Sequence, residues 1–156
     1  MTKNKIYFLA LFFLVIDQVS KLLIETYLGE RLTIIKNFFY LDYHRNSGAA
    51  FGLFQNSRFF LIVITVVVLV ALSKIIVKEL SISKLMGLTY ALLIGGIFGN
   101  FFDRIFRTYV IDFLSFRIFS RAMPIFNFAD SFIVIGALLL LIFNFKEMFD
   151  EYQSRK

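Results

Sequence analysis

Four long apolar runs divide the chain, and polar segments separate them. The runs cover about residues 6–24, 59–77, 85–102 and 131–145. A helix needs about 20 mainly apolar residues to cross the hydrocarbon of a bilayer, so the pattern predicts four transmembrane helices. Four spans place both ends of the chain on one side of the membrane and the two longer connections together on the other side.

The first apolar run begins like a secretory signal peptide, because Lys3 and Lys5 precede it. No small-residue cleavage site follows it, and Asp17, Gln18 and Lys21 come instead. We therefore predict a retained helix in which Asp17 and Lys21, spaced i,i+4, share one face near the far membrane surface. A structural ion pair and a role in contacting substrate are equally compatible with that position.

The two longer connections differ in pattern. Residues 32–43 are rich in Ile, Phe, Tyr and Thr with loose alternation, which predicts a small β-structured segment on the membrane surface. The small residues from Gly48 onward would let an extended peptide approach closely, although a turn before the next helix is the simpler interpretation. Residues 104–123 are amphipathic and basic, and we predict a second surface segment there.

Composition agrees with a membrane protein of one domain over residues 1–156. Hydrophobic residues make up 59% of the chain, and 22 of its residues are Phe. The chain has no Cys and one His, so neither a disulfide nor a zinc site is predicted. The net charge is +6, but the basic residues are scattered around the apolar runs, which favours membrane lipids over nucleic acid as the partner.

Basic residues give a weak signal for orientation. The two sides of the membrane carry equal numbers of them, while the basic start and the short second connection favour termini in the cytoplasm. Five arginines on the opposite side form a candidate surface for anionic headgroups, although generic surface charge explains them as well. These are Arg45, Arg58, Arg107, Arg117 and Arg121.

Polar side chains gather at the membrane face opposite the termini. The set comprises Asp17, Asn46, Asn100, Asp103, Arg104, Asp112, Asn127 and Asp130. An ionisable residue at a hydrocarbon boundary is costly and is by default a candidate functional residue. Two crowded carboxylates can share one proton, so that one deprotonates a water while the other polarises a carbonyl group. The pattern therefore indicates aspartic proteolysis.

Spacing alone does not decide which carboxylates form the pair. Asp112 and Asp130 lie in apolar surroundings of the kind found around proton-transferring carboxyl groups. Asp103 is followed by Arg104, a cation that would hold it ionised as a structural partner, yet Asp103 remains a rival to Asp112. Two other classes also stay open: a membrane scaffold or transporter with buried ion pairs, and an acyl-transferring enzyme that acts on lipid.

Five motifs of this chain resemble those of the lipoprotein signal peptidases, also called signal peptidase II. They are Asp17-Gln18 with Lys21; Asn46-Ser47-Gly48-Ala49-Ala50-Phe51; Gly95-Gly96 with Gly99-Asn100 and Asp103-Arg104; Ile111-Asp112-Phe113; and Phe126-Asn127 with Ala129-Asp130. They occur in family order across nearly the whole chain. Ile111 departs from the usual valine, and Met123 stands where an aromatic residue often precedes the proline.

The resemblance implies an all-α membrane protein of four transmembrane helices, with a small extracytoplasmic β-cradle and a surface half-helix or flap between the first two spans. It also implies a cofactor-free aspartic endopeptidase of the bacterial cytoplasmic membrane. Both termini would lie in the cytoplasm, and the active site would lie near the extracytoplasmic face. The substrates would be prolipoproteins, cut just N-terminal to a diacylglyceryl-modified cysteine.

The same resemblance implies a role for each motif residue. Asp112 and Asp130 would be the catalytic dyad, and Asp17 and Lys21 would support the site from the first helix. The residues that shape the pocket, orient the dyad and contact the substrate would be Asn46, Gly48, Asn100, Asp103, Arg104, Asn127 and Ala129. No metal ion takes part in the chemistry that the resemblance implies.

Overall fold

The computed structural model describes residues 1–49, 53–79, 81–119 and 121–154. Its helices are α1 (Lys3–Tyr27), α2 (Arg58–Lys78), α3 (Lys84–Phe106) and α4 (Phe128–Ser154). All four are long and apolar enough to span a membrane, and in α4 the spanning part is Phe128–Phe145. The prediction of a mostly helical membrane protein with four spans is therefore confirmed, although each helix begins before its apolar run.

The helix α3 lies at the centre of the bundle. Its apolar stretch is 61% buried, whereas those of the other helices are between 11% and 22% buried. Glycines make close contact possible: a Cβ atom on Gly95 would lie 2.7 Å from the carbonyl oxygen of Ala10, and one on Gly96 would lie 2.5 Å from that of Ala129. Small residues let helices approach closely where the lipid offers no hydrophobic driving force. The helices α1 and α4 thus pack tightly on α3.

Four antiparallel strands form one sheet in the order β1-β2-β3-β4. They are β1 (Leu32–Ile35), β2 (Phe39–Asn46), β3 (Val110–Ile118) and β4 (Arg121–Ala122). The strands β2 and β3 pair so that His44 faces Asp112 and Asn46 faces Val110. The β-structure predicted over residues 32–43 is therefore present, and it extends to Asn46.

The predicted surface segment at residues 104–123 is wrong. The chain stays in α3 to Phe106 and then enters β3, where Val110, Ile111, Asp112 and Phe113 are all buried. A strand that is covered on both faces shows a continuous apolar run and no alternation, so its pattern does not identify it. The amphipathic character comes from the far end of the strand, which is exposed from Arg117 onward.

The connection from β2 to α2 bends sharply at Gly48. A Cβ atom there would lie 2.6 Å from the carbonyl oxygen of Leu53, and the N–H of Ala49 donates to that oxygen at 2.7 Å. Residues 47–49 form bends and residues 53–56 form turns, so the implied half-helix is not found among the described residues of this connection. Ala50 and Phe51 of the second motif lie outside the described residues.

Replacement of Gly96 tests the close packing of α3 on α4. Gly96→Ala should lower the free energy of unfolding by about 1–3 kcal/mol, because the added methyl group would meet backbone of α4 that cannot move freely. Thermal unfolding in detergent measures the loss. Gly29→Ala is the control, since no atom lies within 4 Å of a Cβ atom at that position. Equal unfolding temperatures for the two variants would contradict the proposed tight contact.

Candidate active site

A polar cavity of about 490 Å³ lies where α3 and α4 meet the sheet. Its polar lining consists of His44, Asn46, Gln55, Asn100, Arg104, Asp112 and Asp130. Apolar side chains from the segment before α4 and from its first turns complete the wall, among them Met123, Phe126 and Ile133. The cavity therefore presents two carboxylates beside an apolar surface.

The start of α4 positions Asp130. The side chain of Asn127 accepts from the backbone N–H of Asp130 at 2.8 Å, and the carboxylate of Asp130 accepts from the backbone N–H of Asn127 at 3.2 Å. This reciprocal arrangement is a capping box, which satisfies N–H groups that a helix leaves free at its first turn. The local sequence thus fixes the direction of the Asp130 carboxylate.

Three carboxamide side chains hold the two carboxylates of the cavity. Asn127 and Asn46 donate to opposite oxygens of Asp112, at 2.7 and 2.9 Å. Asn100 donates to Asp130 at 2.7 Å. Each carboxylate therefore accepts hydrogen bonds on both oxygens, and in the described part of the chain no buried side-chain polar atom lacks a partner.

The surroundings of Asp112 favour its protonated form. Its side chain is 2% exposed, and burial is the main cause that raises its pKa to about 7. The negative charge of Asp130 raises the pKa further, while hydrogen bonds from Asn46 and Asn127 and the charge of Lys21 lower it. Near neutral pH, Asp112 is therefore present in both its protonated and its ionised form.

A second group of charged side chains lies behind the cavity, fully buried. The Nζ atom of Lys21 lies 2.7 Å from Asp17 and 2.8 Å from Asp103, and all three side chains are 0% exposed. Arg107 lies 2.7 Å from the other oxygen of Asp103. Arg107 also lies 3.4 Å from Glu25, so two cations serve three carboxylates, and both fully buried acids have a cationic partner. The structural interpretation of Asp17 and Lys21 fits this geometry, since neither lines the cavity.

This charged group connects directly to the cavity wall. Asp17 accepts from the backbone N–H of Ala129 at 2.9 Å, and Asp103 accepts from that of Ile111 at 3.3 Å. These are the residues immediately before Asp130 and Asp112. Lys21 also donates to Asn100 at 3.1 Å. The ion pairs therefore fix the backbone next to both carboxylates and orient one of the carboxamides.

Arg104 has a different partner from the one that the sequence suggested. It donates to the carbonyl oxygens of Gly48 at 3.0 Å and Asn100 at 3.3 Å, and it forms no ion pair with Asp103. Adjacent residues of a helix point about 100° apart, whereas residues four apart lie on one face. Arg107, four residues after Asp103, is the arginine that binds it.

Sequence reasoning assigned no site role to several polar residues, among them Gln18, Arg107 and His44. Gln18 donates to Asp103 at 3.1 Å and accepts from Arg107 at 2.8 Å, so both belong to the charged group. The spacing of Asp103 and Arg107 was a usable signal. His44 lines the cavity, and alternation along β2 from Asn46 would have placed it on the same face.

Three of the five arginines that formed the candidate headgroup surface contact protein groups. Arg58 donates to the carbonyl oxygens of Arg104 and Ile105, and Arg107 binds Asp103. Arg45 lies over the ring of Tyr109, 4.7 Å from its centre. Among the residues that the structure describes, no group of three or more His, Cys, Asp or Glu side chains is arranged to hold a metal ion.

Comparison with known proteins identifies close similarities over nearly the whole chain. The family model described as signal peptidase (SPase) II matches residues 9–146. A solved bacterial membrane enzyme, determined by the in meso method at 2.3 Å resolution, is 34% identical over 94% of this chain and 90% of its own, with a TM-score of 0.86. A second bacterial membrane enzyme, at 1.9 Å resolution, is 35% identical over 90% of this chain and 92% of its own, with a TM-score of 0.80.

Replacement of Lys21 tests the buried charge balance. Lys21→Met should lower the free energy of unfolding by about 3–5 kcal/mol, because it leaves Asp17 and one oxygen of Asp103 without a cation. The double variant Lys21→Met/Asp103→Asn removes one charge of each sign and should recover part of that loss. Chemical unfolding in detergent measures both variants. A single variant as stable as the wild type would show that Lys21 does not hold the site together.

Proposed function

Because the chain belongs to the signal peptidase II family of bacterial membrane proteases, which process lipoprotein signal peptides, we propose that it cuts prolipoproteins just N-terminal to a diacylglyceryl-modified cysteine. Asp112 and Asp130 are the proposed catalytic dyad. The observation that carries this assignment is that both line one cavity and are held by neutral carboxamides, while the other acids nearby are paired with cations.

The proposed reaction is hydrolysis by a water molecule that the dyad activates. The ionised carboxylate takes a proton from the water, and the resulting oxygen attacks the scissile carbonyl carbon while the protonated carboxyl group donates a hydrogen bond to the carbonyl oxygen. The C–N bond then breaks, and the departing amine of the cysteine receives a proton from the dyad. No bond forms between enzyme and substrate, so no acyl-enzyme accumulates.

The neighbouring residues position the dyad and the peptide in this proposal. Asn46 and Asn127 hold Asp112, and Asn100 holds Asp130, so that the carboxyl groups need no rearrangement during the reaction. Arg104 lines the cavity and donates to the carbonyl oxygen of Gly48, so it fixes the turn that follows β2. Positioning of this kind supplies much of the rate enhancement of an enzyme.

The location of the cavity suits the proposed substrate. A signal peptide is an apolar helix in the bilayer, and its lipid-bearing cysteine lies at the depth of the headgroups. The cavity lies at the end of the bundle, between the first turns of α4 and the end of α3, with apolar wall residues beside it. We place this end at the extracytoplasmic face of the cytoplasmic membrane and both termini in the cytoplasm, because the chain begins with basic residues.

Cleavage of a lipidated prolipoprotein tests the proposed function directly. Detergent-purified wild type should release a signal peptide that ends just before the modified cysteine, and mass spectrometry of both products locates the cut. Asp130→Asn should lower the turnover at least about 1,000-fold, because an amide cannot act as the base. An unchanged unfolding temperature serves as the folding control. Failure of the wild type to cut, or a trapped acyl-enzyme, would contradict the proposal.

The pH dependence of cleavage tests the sharing of one proton. Below a pH of about 7 the Asp112 carboxyl group keeps its proton, and above it the group loses the proton that polarises the carbonyl oxygen. We therefore expect kcat/KM to fall as the pH rises through about 7, and to fall again in acid when the second carboxylate is protonated. A rate that rises steadily into alkaline pH would contradict this mechanism.

A further inference from the structure

A second, largely apolar groove lies between α2 and α3, apart from the polar cavity. It has a volume of about 560 Å³ and shares no lining residue with that cavity. The lining residues are Val66, Leu69, Val70, Ser73, Lys74, Val77 and Lys78 of α2 with Phe98 and Phe101 of α3. Phe98 lies two residues before Asn100, which places it about 200° around the helix from the polar cavity. The groove therefore faces a different part of the membrane.

One end of the groove is basic. Lys74 and Lys78 are exposed and stand one helical turn apart, and in the part of the chain that the structure describes neither has an ion pair or a hydrogen bond from its side chain. The side chain of Lys3 donates to the carbonyl oxygen of Val77 at 2.6 Å. The basic end thus lies at the level where the chain begins, on the opposite side of the membrane from the polar cavity.

We propose that this groove binds an anionic phospholipid from the leaflet on the side of the chain termini. The groove follows α2 for about 18 Å, from Val66 to Lys78, which suits an acyl chain that lies along the helix. The phosphate lies between Lys74 and Lys78, and Ser73 is placed to donate to it. Two unpaired cations at the mouth of an apolar groove match the charge and shape of an anionic lipid. A zwitterionic headgroup has no net negative charge and would bind these cations less tightly.

A bound lipid has a structural consequence for α2. Leu69 and Ile76 are the residues of this helix that are buried against protein, so lipid supplies much of its packing. Arg58, at the other end of α2, donates to the end of α3 beside Arg104. An occupied groove therefore holds in place the helix that follows the Gly48 turn, and this conclusion does not depend on the identity of the catalytic residues.

Native mass spectrometry of delipidated protein with phosphatidylglycerol or phosphatidylcholine tests the headgroup site. The wild type should bind phosphatidylglycerol more tightly than phosphatidylcholine. Each lysine near a membrane surface is worth about fivefold in affinity for an anionic lipid, so Lys74→Gln/Lys78→Gln should bind it about 30-fold more weakly. Lys5→Gln/Lys84→Gln is the matched control, because it removes two exposed cations outside the groove and should bind like the wild type. Equal affinity for both lipids, or equal losses in both double variants, would overturn the proposal.

A second pair of variants tests the acyl-chain part of the groove. Val70→Trp fills the groove and should weaken phosphatidylglycerol binding at least about tenfold, whereas Val67→Trp, on the same helix but outside the lining, should leave it unchanged. The unfolding temperatures of both variants without lipid show whether each is folded. Equal binding by the two would overturn the placement of the acyl chain. A dimer of the wild type that Val70→Trp dissociates would assign the groove to a second copy of the chain instead.

Discussion

The buried ammonium group of Lys21 is the constraint on which the rest of the structure depends. A fully buried charge must be paired, and Lys21 pairs with Asp17 of its own helix and Asp103 of α3. Asp17 in turn accepts from the first turn of α4 at Ala129. Three helices are thereby joined through one cation, and their approach is close enough that a Cβ atom on Gly99 would lie 2.5 Å from Asp17.

This arrangement separates two kinds of carboxylate at the same end of the bundle. Asp103 lies between two cations, Lys21 and Arg107. Its carboxylate also accepts from the backbone N–H of Ile111 and so fixes the start of β3. Asp112 is held by neutral carboxamides, and burial beside Asp130 raises its pKa to about 7. A carboxyl group that stays protonated near neutral pH can donate a hydrogen bond to a substrate, and Asp112 lines the cavity, whereas Asp103 is absent from its lining and contacts Lys21 and Arg107. The geometry therefore supports Asp112 over Asp103 as the partner of Asp130.

The sequence predicted the features that follow from local pattern. The four apolar runs predicted the spans, and their even number placed Asp17, Asn100, Asp112 and Asp130 at one membrane face. It did not predict β3, because both faces of that strand are covered at Asp112 and alternation is lost. The contact of Asp103 with Lys21 was also missed, since it depends on how α1 aligns with α3, and glycine contacts set that alignment. His44 was missed although alternation along β2 places it on the same face as Asn46.

Two isosteric variants test whether Asp112 reacts with the substrate while Asp103 supports the structure. Turnover of lipidated substrate and the unfolding temperature should be measured together for Asp103→Asn and Asp112→Asn. We expect Asp112→Asn to keep the unfolding temperature of the wild type and to lose turnover. Asp103→Asn should lower the unfolding temperature, because Lys21 and Arg107 lose their shared anion. An Asp112→Asn variant that still cuts, or an Asp103→Asn variant that is fully stable yet inactive, would contradict this assignment.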